Sequence, residues 1–295
     1  MSRRHTRPAR RSHRAVLAVT GAVALAAAAV PAVAAGTSAD GRTAASTSTA
    51  SATTSHAAPK PTVLLVHGAW ADSSSWSPVI ERLQSQGYPV QAIADPLRGL
   101  ASDAAYVKSR IESVDGPVVL VGHSYGGAVI SEAATDESRV KALVYVAAFA
   151  PAEGESVGAL AGRNPGSHAT PDALNPVPFD LGNGASGIDL SIKPDKYRDV
   201  FAASLSLNRA AALAAVQRPV STAALEETAT DAAWRTIPSW YLVTRQDHAL
   251  PPATQRFMAE RAHAHTTEVR APHAVMLTRP DTVAGLIRQA ATATR

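Results

Sequence analysis

Val118-Val119-Leu120-Val121-Gly122-His123-Ser124-Tyr125-Gly126-Gly127 is the stretch that decides the fold. Its opening is a continuous apolar, β-branched run, the pattern of a strand covered on both faces. It ends in Gly-x-Ser-x-Gly and passes directly into the small-residue helix that begins at Ala128-Val129-Ile130. Strand, sharp turn and helix in that order push a serine hydroxyl out on a strained backbone, where it can act as a nucleophile. Gly122 and Gly126 leave room where strand and helix pack closely. The turn also points the amide N–H of Tyr125 at the space in front of the Ser124 oxygen. The alternative is an ordinary glycine-rich turn, and the flanking strand and helix weigh against it.

On either side of this motif the chain alternates strands and helices. Thr62–Val66 is a second buried strand, followed by a helix over Trp76–Gln86 with Ser73, Ser74 or Ser75 as its cap and Gly87 at its end. Pro89–Ala94 is a strand, Leu100–Val114 a helix, Ala128–Thr135 the helix after the turn, and Lys141–Phe149 a strand. Ser239–Thr244 and Thr266–Val269 are two more strands, followed by helices over Pro252–Arg261 and Asp281–Ala290. Such alternation predicts an α/β domain, a mostly parallel sheet with helices on both faces. The rhythm breaks between about 150 and 238, where prolines interrupt it and Tyr197–Val216 returns as helix. An excursion between two core strands reads as a cap over the strand C-termini, where open α/β sheets place their sites.

A serine hydroxyl needs a base to take its proton, and histidine is the usual one. The chain has ten. In the chain order Ser, acid, His, the base sits on a loop after the last strand. His273 does, since it follows the turn Arg270-Ala271-Pro272. The imidazole in turn needs a carboxylate to hold its tautomer. Asp247 follows the strand Trp240–Val243 one strand earlier, and Glu153 is the alternative acid. The oxyanion needs two N–H donors. Tyr125 gives one, and Ala69, in His67-Gly68-Ala69-Trp70, is the expected second, with Trp70 as its substitute. His67 reads as a structural hydrogen-bonder. Trp70 and Trp76 are candidates for the acyl pocket or for plain core. His263-x-His265 has metal-ligand spacing without a third ligand, so no metal and no cofactor are expected.

The set His67-Gly68-Ala69-Trp70, Gly122-His123-Ser124-Tyr125-Gly126-Gly127, Asp247 and His273 resembles the α/β-hydrolase superfamily from about Pro61 onward. Within it, the chain is similar to bacterial hydrolases of the plant methylesterase and hydroxynitrile lyase branch. The resemblance implies an eight-stranded sheet, a small helical cap and esterase-type activity. The cyanide-releasing lyases carry lysine after the catalytic histidine, whereas Ala274 stands here. Haloalkane dehalogenases use an aspartate where this chain has Ser124.

Ahead of that domain, Arg3, Arg4, Arg7, Arg10, Arg11 and Arg14 precede the apolar run Ala15–Val30 and the small residues Ala32-Val33-Ala34-Ala35. This is the make-up of a cleaved export signal over 1–35. It implies a secreted protein, by the general route more than the twin-arginine one. Residues 36–60 are Ala, Ser and Thr with little else, the composition of a disordered linker. The folded domain is expected over 61–295. Without the six leader arginines the 28 basic residues fall to 22 against 24 acidic ones, so the formal +4 implies no nucleic-acid partner. There is no cysteine, so disulfides and thiol chemistry are excluded. The expected function is an exported serine hydrolase acting on a small or medium carboxylic ester or lactone. The expected partner is that small molecule, with no stable membrane partner after signal cleavage. A lyase or cofactor-free oxidative enzyme on the same fold, or a non-catalytic ligand binder, is the alternative.

Overall fold

The computed structural model describes residues 59–182 and 184–294. The expected signal over 1–35, and all but the last two residues of the expected linker, lie outside them. Nine strands run through the described residues: β1 Thr62–Val66, β2 Val90–Ile93, β3 Val118–His123, β4 Val140–Val146, β5 Leu174–Gly182, β6 Ala185–Ile192, β7 Val220–Ser221, β8 Ser239–Thr244 and β9 His265–Val269. Six of them form the central sheet in the order β2-β1-β3-β4-β8-β9, with every neighbouring pair parallel.

The apolar runs explain the sheet. All residues of β1, β3 and β8 are buried, as strands covered on both faces must be. Helices Leu100–Glu112 and Tyr125–Ala133 pack on each other and cover one face. Ser77–Gln84 and Pro280–Ala293 pack as a second pair and cover the other. The expected eight strands are six here. Only six strands of the described residues enter this sheet; the figure of eight is what the resemblance implies and has no counterpart in the chain's own pattern.

The strand order reverses direction at β1, which pairs β2 on one side and β3 on the other. The crevice at such a switch point opens above the strand C-termini. Here those termini continue into His67–Trp70 and Ser124, so topology alone brings the two loops side by side.

Between β4 and β8 lies the cap, and it is not the all-helical one expected. β5, β6 and β7 form an antiparallel sheet beside short helices at Val157–Ala161 and Thr222–Glu226. Pro176 and Pro178 read as breakers, yet both sit in β5, which pairs only with β6; an edge strand tolerates proline on its unpaired side. The single helix expected over Tyr197–Val216 is two, Pro194–Phe201 and Leu207–Val216, the second capped by the Ser206 side chain. Differences elsewhere are at element ends, apart from a short helix Val275–Thr278 that the sequence reading lacks. Ser73–Trp76 is a short 3₁₀ turn before the helix, and Asp72 rather than a serine caps it by accepting from Ser74 N at 2.7 Å. The helix after the elbow begins at Tyr125, three residues before the expected Ala128.

Candidate active site

Ser124 sits at φ 53°, ψ −124°, a left-handed conformation that costs a non-glycine residue about 1–3 kcal/mol. The surroundings hold it there. Its carbonyl accepts from Gly127 N and Phe149 N, each at 3.0 Å. Gly68 is packed against the elbow so closely that a Cβ on it would stand 2.6 Å from Ser124 Cβ and 3.0 Å from Tyr125 N. Glycine is therefore required at 68 by the approach of the two loops. The elbow also starts the nine-residue helix Tyr125–Ala133, whose N-terminal amides favour negative charge in front of it.

His273 and Asp247 are both buried, and His273 Nδ1 lies 2.8 Å from Asp247 Oδ2. That contact fixes the proton on Nδ1 and leaves Nε2 as the acceptor. Nε2 is buried and has no partner among the described residues. Asp247 is itself held on every side. Its Oδ1 accepts from the amides of Ala249 at 2.9 Å and Leu250 at 2.8 Å. Its Oδ2 accepts from Thr244 Oγ1 at 2.7 Å and Gln255 Nε2 at 2.9 Å. Glu153, the alternative acid, is exposed and faces Arg235 at 3.6 Å.

Ser124, Tyr125, Ala69, Trp70 and His273 line one cavity of about 120 Å³. The rest of its wall is almost wholly apolar, with Phe149 from the core side, Val157, Leu174 and Leu225 from the cap, and Leu250 beside Asp247. Trp70 is in it and Trp76 is not. Trp76 is fully buried and sets its ring edge-on to His123 at 6.3 Å, so the candidate pocket residue is core. Trp70 N donates to Arg218 O at 3.0 Å, which removes it as an oxyanion donor. The Ala69 amide keeps no partner among the described residues.

Two further histidines are structural. His67 Nδ1 lies 2.9 Å from Gly68 O, and His67 Nε2 accepts from Asp95 N at 3.1 Å. Burial lowers its pKa to about 4, so it is neutral at pH 7. His123 is fully buried and donates from Nε2 to His273 O at 3.1 Å, with the two rings 4.6 Å apart. Burial, then the neighbouring His273, hold its pKa well below the ordinary value. Neither ring places a competing cation beside His273. Thr244, Gln255 and His123 were not singled out as site residues from sequence. Only the rule that a buried carboxylate must find donors could have pointed to the first two.

A model of the alpha/beta hydrolase family matches residues 63–286. "Alpha/beta hydrolase nvfD" of Aspergillus novofumigatus is 30% identical over 256 residues, 79% of this chain and 97% of that protein. "Carbendazim hydrolyzing esterase" of a Nocardioides species is 32% identical over 110 residues, 33% of this chain and 46% of that protein. Among solved structures, polyneuridine aldehyde esterase superposes with a TM-score of 0.68 at 18% identity, over 78% of this chain and 98% of that one, a likeness of fold.

Proposed function

The chain belongs to the alpha/beta hydrolase family, and from that premise we propose that it is a serine hydrolase cleaving small carboxylic esters through an acyl-enzyme on Ser124. One observation carries the reading. A buried imidazole is locked by its Nδ1 to a buried carboxylate and presents an unpartnered Nε2 in the same cavity as a serine on a strained elbow.

His273 Nε2 takes the proton from Ser124, and Oγ attacks the ester carbonyl carbon. The amides of Ala69 and Tyr125 hold the oxyanion. His273 then returns the proton to the departing alcohol, and water releases the acyl group by the same route. Asp247 stays ionised, keeps the tautomer and stabilises the imidazolium. The apolar lining and small volume support a short, uncharged acyl or alcohol group, a lactone included. That one relative named above is an esterase agrees with this. The basic and apolar first 35 residues support export with removal of the leader.

Mature protein assayed on p-nitrophenyl esters from acetate upward tests the reading, with Ser124→Ala beside the unaltered protein. Turnover is expected on the short esters and should fall by at least about 10⁴-fold in the variant. Equal rates in both proteins would identify a ligand-binding protein, and aldehyde release from a cyanohydrin without ester turnover a lyase.

A further inference from the structure

A second cluster of chemistry-bearing side chains stands at the rim of the cap, outside the site described above. His168 comes from the cap loop before β5, Asp199 from the helix Pro194–Phe201, and His248 from the loop after β8. One potential ligand atom from each lies within 4.8 Å of the other two. His168 Nδ1 stands 2.7 Å from Asp199 Oδ2, and His248 Nδ1 stands 3.3 Å from Asp199 Oδ1. The imidazole rings are tilted 33° to each other with centroids 4.2 Å apart, and both Nδ1 atoms are turned to the same carboxylate. The main chain holds the two loops together, since His168 N donates to His248 O at 2.6 Å; His248 Nδ1 donates to Asp199 O at 3.0 Å, a proton that an incoming cation displaces to water.

We propose that His168, Asp199 and His248 form a binding site for one first-row divalent cation, with zinc as the best fit. Two imidazoles and one carboxylate are a donor set that suits zinc, nickel or copper and not magnesium or calcium, which take oxygen ligands. Ligand atoms on a tetrahedral zinc stand about 3.3 Å apart at Zn–N distances near 2.05 Å. Of the present spacings, 2.7 Å opens slightly to reach that value, 3.3 Å already meets it, and the rest lie within 4.8 Å, in side chains that are 36–57% exposed and free to adjust. The same exposure lets a cation enter without unfolding and leaves the fourth position to water.

The site would be a clasp. Ser167 and Ala169, on either side of His168, line the apolar cavity from the cap, and Ala249, next to His248, lines it from the core. A cation shared by the two loops ties the cap to the core at the pocket's edge.

The test is binding, read without substrate, so it stands or falls apart from the hydrolase reading. Tag-free mature protein is treated with chelator, dialysed and titrated with ZnCl₂ by calorimetry, with MgCl₂ as control. One equivalent of zinc, with micromolar affinity and a rise in Tm, is expected. His168→Ala and His248→Ala should each weaken binding by more than the about 10–100-fold that loss of an outer-shell partner brings. Their Tm without metal should match that of the unaltered protein, because the side chains are exposed. The pair His263→Ala, His265→Ala, removing the other exposed histidines of the fold, should bind as before. No zinc binding at micromolar concentration, or binding lost with His263 and His265 instead, would overturn the proposal.

Discussion

At the scale of single residues, the candidate acid accepts four hydrogen bonds besides its contact with His273. Thr244 and Gln255 do not line the cavity, yet both donate to the Asp247 oxygen that faces His273. Gln255 also accepts from Thr244 N at 2.9 Å, so the two side chains brace each other. A hydrogen bond to a charged group contributes about 1.5–3 kcal/mol. Part of that reaches the reaction, because it fixes where the imidazole points. Thr244→Val and Gln255→Leu are each expected to lower kcat about tenfold with KM nearly unchanged, as steady-state kinetics on the best short ester will read. A change confined to KM would mean that these residues act on substrate binding instead.

At the scale of elements, the cap and the first core loop are stitched together through Trp70. Its Nε1 donates to Leu190 O at 3.0 Å in β6, its N to Arg218 O, and its carbonyl accepts from Tyr197 OH at 2.9 Å. The cap therefore shapes both the pocket wall and the loop that carries the Ala69 amide. Leu225, in the cap helix Thr222–Glu226, borders the cavity. Leu225→Ala should move the optimum of the ester series to acyl chains one or two methylenes longer, since each buried CH₂ contributes about 0.8 kcal/mol. An unchanged optimum would mean that the acyl group lies elsewhere. The core elements were legible in the sequence and the cap was not, for a physical reason. A strand buried on both faces writes itself as an unbroken apolar run, as in Val118–Val121. β5 is largely exposed, carries two prolines and owes its form to pairing with β6, a non-local contact that no local pattern records. Ser124, His273 and Asp247 were legible as candidates because turn chemistry and chain order mark them. Their supports were not, since hydrogen bonds to a buried acid come from whatever donor the fold brings near.

At the scale of the whole molecule, buried titratable groups set an acid limit on stability. His67 has a folded-state pKa near 4 against an ordinary 6.5, and that of His123 is also lowered, both chiefly by burial. At these two sites the unfolded chain therefore binds more protons than the folded one below about pH 6.5. The histidine contribution to stability is lost as pH drops from 6.5 through about 4, with His67 alone contributing about 3 kcal/mol to the loss. Asp95 works the other way. Burial, then repulsion from Asp103, raise its pKa well above the ordinary carboxylate, and its oxygens have no hydrogen-bond partner among the described residues. The stabilising effect of its proton is present at low pH and lost as pH rises through the folded-state pKa. Asp95→Asn should raise the urea midpoint at pH 8, with the gain vanishing near pH 4. In the Asp95→Asn background, where that opposing contribution is gone, a flat stability profile between pH 7 and 4 would contradict the assignment of buried neutral histidines.

The central claim is that one serine, activated by His273 and Asp247, carries the acyl group. Treating the mature protein with a fluorophosphonate and mapping the adduct by peptide mass spectrometry tests it most directly. A single adduct on Ser124, lost in His273→Ala, is the expected result; an adduct on any other residue, or none in folded protein, would contradict the account.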